Sequence, residues 1–182
     1  MGNTQTVTIA PAGTWQLDAV HSVVGFEVEY LGGTFKGTFR EIDATLVVAD
    51  DAVSLEGSAK VASVDVKDEN LAGHLQSPDF FDAERYPEIR FTATDISLDG
   101  EAVGVEGELT IKGVTKPVTL VGEFLGAGPG MDGETPMLAA SARTTIDRDE
   151  WGINWNMAVE TGGFLVSKKV DLEIEVEAHK VA

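Results

Sequence analysis

Val166-Ser-Lys-Lys-Val170-Asp-Leu-Glu-Ile-Glu-Val176-Glu177 sets Val166, Val170, Leu172, Ile174 and Val176 against Asp171, Glu173, Glu175 and Glu177. Alternation with a period of two puts one face of a strand in an apolar interior and the other in water. At roughly 3.3 Å per residue such a strand spans about 40 Å, which is long for a sandwich. Long, evenly alternating strands favour an up-and-down barrel, and about eight of them enclose room for one small ligand.

The same period recurs upstream. Val24, Phe26, Val28 and Tyr30 oppose Glu27 and Glu29. Residues 34–49 form one long strand, or two joined by a bend at 41–43, with Phe35 and Phe39 on one face. Residues 54–65 read as a further strand, with Leu55, Gly57, Ala59 and Val61 in step. Ile89, Phe91 and Ala93 lead a strand over 88–98. Val103, Val105, Leu109 and Ile111 oppose Glu106 and Glu108 over 102–111. Strands over 118–125 and 138–146 complete the set. Gly32-Gly33, Asp50-Asp51 and Asp99-Gly100 are hairpin signals. The longest loop expected is 126–136, rich in Gly, Pro and Asp and mobile by composition. Residues 147–163 are less regular. Nothing alternates strand and helix, so a parallel sheet is disfavoured. The fold class expected is all-β: an antiparallel, lipocalin-like barrel of about eight strands with one short helix near residues 68–77. Residues 14–180 form a single domain, and 1–13 read as a flexible extension.

The helix lies in Asn70-Leu-Ala-Gly-His-Leu-Gln-Ser-Pro-Asp-Phe-Phe-Asp-Ala-Glu-Arg-Tyr-Pro-Glu-Ile-Arg-Phe91. Leu71, His74 and Leu75 share one helical face, Asp68 can cap the start, and Ser77 before Pro78 ends it. Phe80 and Phe81 then stand together in a polar loop. Two large rings must be buried somewhere, so this segment is expected to line or close the barrel mouth.

Composition narrows the function. The 182 residues carry 31 acids, 13 bases and a net charge of −18, which disfavours nucleic acid and anionic membrane surfaces. No run approaches 18 apolar residues, so no integral membrane span is expected. The absence of cysteine removes disulfides and thiolate chemistry. The three histidines, His21, His74 and His179, lack ligand-type spacing, so no metal is expected. Asp18 and His21, three residues apart, are expected to fix the first turn. Asp147, Asp149 and Glu150 around Arg148 read as a solvated loop network rather than a general acid/base pair. No GxSxG, HExxH or P-loop motif is present, so no catalytic residue and no cofactor are assigned. No signal segment opens the chain as written, so a cytoplasmic location is expected, or a periplasmic or secreted one if a signal was removed.

The motifs together carry a resemblance. Trp15-x-x-Asp18-x-x-His21-Ser22, Gly37-x-Phe39, Ala62-Ser-Val-Asp65 and His74-Leu75-x-Ser77-x-Asp79-Phe80-Phe81-Asp82 come in order. Tyr86-Pro87, Gly107-x-Leu109-Thr-Ile-Lys-Gly-Val-Thr-Lys-Pro117, Ile146-x-Arg148-x-x-Trp151-Gly152 and Glu160-Thr-Gly-Gly163 follow. From Trp15 to about Ala178 the chain resembles the YceI-like family of lipocalin-like, polyisoprenoid-binding proteins. The resemblance implies a barrel whose lumen holds a long isoprenoid lipid or an isoprenoid quinone, as carrier or store and not as an enzyme. Two departures stand out. Leu71-Ala72 occupies the place of the family's usual Arg-Asp pair, and Tyr30 that of a His. A more apolar Leu71 suits a quinone or neutral tail better than a pyrophosphate.

The residues expected to touch such a ligand are Val24, Phe26, Val28, Tyr30, Phe39, Leu71, His74, Leu75, Phe80, Phe81, Phe91, Leu109, Ile111, Trp151 and Trp155. Gly25, Gly57, Ala59, Gly104 and Gly107 are expected to leave space beside them. Two other functions fit the same pattern: an enzyme acting on isoprenoid lipids through His74 and a nearby acid, or a stress-related structural protein with a filled barrel. A homodimer is a possible assembly, though no apolar stripe on the outward faces marks one.

Overall fold

The computed structural model describes residues 10–182, in which antiparallel strands close on themselves. In chain order they are β1 Gly13–Leu17, β2 Val23–Tyr30, β3 Gly33–Phe39, β4 Ile42–Val48, β5 Val53–Lys60, β6 Val64–Asp65, β7 Glu88–Asp99, β8 Ala102–Ile111, β9 Val114–Pro129, β10 Pro136–Asp147 and β11 Val166–Lys180. The first six are halves of three longer strands. β1 and β2 lie end to end along β11, with Leu17 opposite Ala178 and Val23 opposite Glu175. β3 and β4 lie end to end beside them, and β5 and β6 form the third. Eight long strands thus run up and down, and the pairing of β1 with β11 closes the ring. Helix α1, Glu69–Gln76, and a loop over 77–87 fill the path from β6 to β7.

The breaks have local causes. Between β1 and β2, Asp18 accepts the Val20 and His21 amides at 3.0 and 3.3 Å. The buried Ser22 hydroxyl accepts the Glu177 amide at 3.0 Å, which holds the interruption against β11. The first turn expected of Asp18 and His21 is therefore present. The bend between β3 and β4 falls at 40–41, where Arg40 donates to the Ser63 carbonyl and Glu41 to the Ser63 hydroxyl. Ser63 belongs to a 3-10 turn, Val61–Ser63, so both strands kink at one level.

Three boundaries differ from those read in the sequence. Leu31 and Gly32, with φ of 49° and 77°, make the β2–β3 turn, so Gly33 starts a strand. Lys112 and Gly113, also at positive φ, turn the chain in two residues, and β9 begins at Val114 instead of 118. β9 then runs on to Pro129 against β10, which shortens the long loop to 130–135. At the opposite end from α1, Trp15 is 1% exposed among Ala10, Val48, Leu138 and Ala178. Ala10 is buried beside Trp15 and Gly13 opens β1, while 1–9, most of the extension read in the sequence, lie outside the described residues. Among the described residues no helix is long and apolar enough to cross a membrane.

Candidate functional site: the barrel lumen

The inward faces do not meet. They enclose a cavity of about 630 Å³ that extends from Trp15 and Leu138 at one end to α1 and Trp155 at the other. That volume is within the roughly 300–1,000 Å³ of small-molecule sites. Its walls are carbon almost throughout, from Val24, Phe26 and Val28 on β2 to Val170, Leu172 and Ile174 on β11. All fifteen residues expected to touch a ligand line this one cavity.

Small residues shape the walls in two ways. Gly57 and Ala59 line the cavity, as expected, whereas Gly25 reaches it only through its backbone, because a Cβ there would point outward toward the Gly37 carbonyl and Thr38. Gly107 does not open space: a Cβ there would meet the Phe91 ring at 2.5 Å, so its bareness lets that ring lie against the wall. Gly37 does the same beneath Phe26, where a Cβ would collide with the ring. Gly104 departs from the expectation, because alternation with Val103 and Val105 turns it outward, toward the Ser97 hydroxyl.

The mouth segment is built by short hydrogen bonds. Asp68 accepts the Leu71 amide at 2.9 Å and starts α1, and Ser77 closes it by donating its hydroxyl to the His74 carbonyl at 2.7 Å. The following loop folds back on the helix through Phe81 to the Leu75 carbonyl and Ala83 to that of Gln76. Lys112 fastens it to the β8–β9 turn by donating to the Pro78 carbonyl at 2.7 Å. These constraints push Phe80 and Phe81 inward, Phe80 to 8% exposure. Phe81 meets Phe39 edge-on at 5.9 Å. His74 stands edge-on to Phe80 and Trp155 at 5.0 and 4.9 Å, with Nε2 3.1 Å from an Asp79 carboxylate oxygen. Trp151, 1% exposed, donates to the Leu109 carbonyl at 3.0 Å.

Sequence reading missed most of the far half of the lumen, including Leu46, Phe124, Leu138 and Ala142. Val170, Leu172 and Ile174 carried the right signal, since alternation alone put them inside. Arg148 is the larger correction. It is not part of a solvated network: it lines the cavity at 5% exposure. Its guanidinium donates to the carbonyls of Ser167, Ile153 and Trp155 at 2.9 Å and Val166 at 3.4 Å. Burial lowers its pKa, against the opposing pull of nearby Asp149 and Asp147. Those acids instead face Lys168 and Lys169 at 2.8 and 3.9 Å. No sequence pattern announced this, because the four acceptors are backbone.

On the outer surface, Asp18, His21 and Glu177 converge, with potential ligand atoms within 4.8 Å of one another. Glu177 arrives from β11, so sequence spacing could not reveal the grouping. His21 Nδ1 sits 2.7 Å from Asp18, which raises the imidazole's pKa and lowers the carboxyl's.

A model of the family described as YceI-like domain matches residues 15–178. A UPF0312 protein of Staphylococcus epidermidis is 34% identical over 167 residues, covering 90% of this chain and 95% of the relative. A UPF0312 protein of Photorhabdus laumondii is 36% identical over 127 residues, so the chain spans 65% of that relative's length and the alignment 65% of this chain. Among solved structures, a polyisoprenoid binding domain from Saccharophagus degradans superposes with a TM-score of 0.68 at 14% identity. That match covers 92% of this chain and 98% of the other, and it shows a shared fold.

Proposed function

The chain belongs to the YceI-like family, and from that premise we propose that it is a non-enzymatic carrier or store for an isoprenoid lipid or isoprenoid quinone held in the barrel lumen. The observation that carries this reading is the unfilled, carbon-walled cavity of about 630 Å³. If each methyl or methylene takes up roughly the 30 Å³ of a water molecule, about twenty such groups fit inside. That corresponds to about four five-carbon units. Each CH₂ withdrawn from water contributes about 0.8 kcal/mol, so a tail of this size binds without a polar contact. The neighbour from Saccharophagus degradans, described as a polyisoprenoid binding domain, agrees with this reading at the level of fold.

A neutral head group suits the mouth. Leu71 stands in the lining, and the buried cation Arg148 already gives four hydrogen bonds to backbone carbonyls. His74 has Nε2 engaged by Asp79 and its ring edge-on to two aromatics, which favours a wall residue over a catalytic base.

Native mass spectrometry of protein purified from its own host tests the proposal. The expected spectrum contains a species heavier than the apoprotein by the mass of an isoprenoid compound, and Phe91→Asp, which places a charge on the lumen wall, removes it. Wild-type protein that carries no lipid and takes up none from detergent would sink the reading. So would a Phe91→Asp variant with unchanged lipid content.

A further inference from the structure

We propose that the loops at the helix-bearing end, residues 30–33 and 157–165, form a docking surface for an electrically neutral lipid bilayer, through which the ligand enters and leaves. The proposal rests on the lumen being a lipid site.

Leu31, Met157 and Phe164 are 64%, 57% and 67% exposed, and Tyr30 is 44% exposed. Side chains of this kind normally bury, and their gathering at one place marks an interaction site. They are held there by backbone. Leu31 occupies the left-handed region at φ 49° in the two-residue β2–β3 turn, which fixes the residue at the turn's tip. Phe164 pairs with Ala158 in an isolated antiparallel bridge, and the Leu165 amide donates to the Met157 carbonyl at 2.9 Å. The Leu31 amide then donates to the Leu165 carbonyl at 3.2 Å and stitches the two loops into one patch.

Two observations choose a bilayer as the occupant. First, the patch is continuous with the lumen: Tyr30 and Leu165 belong to both. A ligand leaving past them meets apolar surface before it meets water, and such a ligand's other home is a lipid phase. Second, the two loops carry a single charge, Glu160, in a chain where 24% of residues are charged and the net charge is −18. A cation-free patch has no attraction for anionic lipid, and the rest of the molecule is repelled by it. Partial insertion of Phe, Leu and Tyr at the interface of zwitterionic lipid carries no such penalty. Leu125 and Met131 are also exposed, but they lie at the opposite end, where buried Trp15 ends the lumen.

Flotation with phosphatidylcholine vesicles tests the docking surface, with uptake of the twenty-carbon alcohol geranylgeraniol from those vesicles as the second readout. Phe164→Asp and Leu31→Asp are each expected to cut the vesicle-bound fraction about tenfold or more and to slow uptake in parallel. Both should load to the wild-type level when geranylgeraniol is supplied in detergent, and Leu125→Asp should match wild type throughout. Adding phosphatidylglycerol to the vesicles should weaken binding. Wild-type protein that loads from detergent but ignores vesicles overturns the docking surface and leaves the lumen reading standing; failure to load from detergent overturns the lumen reading itself. Unchanged vesicle binding in both variants, loss in Leu125→Asp, or tighter binding to phosphatidylglycerol also overturns it. So does a dimer that Phe164→Asp splits, which would give the patch to a second copy of the chain.

Discussion

Arg148 holds together backbone from two sides of the mouth, the irregular segment after β10 and the start of β11. Its replacement by Met keeps the length and removes these donors from the Ser167, Ile153 and Trp155 carbonyls, while the Val166 carbonyl keeps the Asn156 amide at 2.7 Å. The expected cost is about 2–4 kcal/mol, read as a lower urea midpoint at unchanged m-value. Lys should rescue only part of this, since one ammonium cannot span the acceptors that a planar fork reaches. The residue was illegible in Asp147-Arg148-Asp149-Glu150 because neighbouring acids in sequence suggested partners that the fold turns toward Lys168 and Lys169. Asp18 and His21 were legible, being three residues apart in one turn. Their hydrogen bond raises the His21 pKa above 6.5 and lowers that of Asp18 below 3.8. The His21 contribution to stability is complete below pH 6.5 and fades as pH rises through the raised value. That of Asp18 is complete above pH 3.8 and fades as pH falls through the lowered one, so the pair acts fully between them. In an NMR titration, Asp18→Asn should bring the His21 midpoint back down toward 6.5; an unmoved midpoint would show that the contact is not made in solution.

Helix α1 and strand β9 show which elements a sequence can declare. Every signal for α1 is local: Asp68 caps it, Leu71, His74 and Leu75 share a face, and Ser77-Pro78 ends it. The expected span of 68–77 accordingly brackets the observed Glu69–Gln76 closely. The same locality makes the cap testable. Asp68→Ala should cost about 1 kcal/mol and speed hydrogen exchange at the Leu71 amide, whereas Asp68→Asn, which can still accept, should change little. Equal exchange in all three proteins would show that the lumen contacts of Leu71 and Leu75, and not the cap, hold the helix start. β9 is the opposite case. Gly126, Gly128 and Pro129 have loop composition, yet Gly126 pairs with Ala139 and Pro129 with Pro136, because β10 supplies the ladder from across a hairpin. The register shift at Ala139/Ala140 lies beside Gly126, whose φ of 145° few other residues adopt. Composition records what a residue prefers alone; pairing with a distant strand decided this one.

Strand number and alternation were readable because both follow from residues two apart. Whether eight such strands surround a void depends on side chains from opposite walls failing to meet, and no sequence period reports that distance. A substitution can. Ala142 lies on β10 opposite Ile174, with its side chain on the lumen face. In a close-packed interior, Ala142→Phe would force neighbouring side chains off their rotamers and cost about 1–3 kcal/mol. In a lumen of about 630 Å³ the ring has somewhere to go, and it covers apolar surface that nothing covers when the ligand is absent. Delipidated Ala142→Phe is therefore expected to melt at or above the temperature of delipidated wild type. With ligand the order reverses. A hundredfold excess over Kd stabilises the native state by about 2.7 kcal/mol. At roughly 2–4 °C per kcal/mol for a chain of this size, the wild-type melting temperature should rise by about 5–11 °C on loading. The variant, with part of its lumen taken by the ring, should gain less. Calorimetry of four samples, each protein stripped and loaded with geranylgeraniol, separates the cases. A destabilised stripped variant together with an absent wild-type shift would mean that the walls already touch and that the barrel has no room to carry anything.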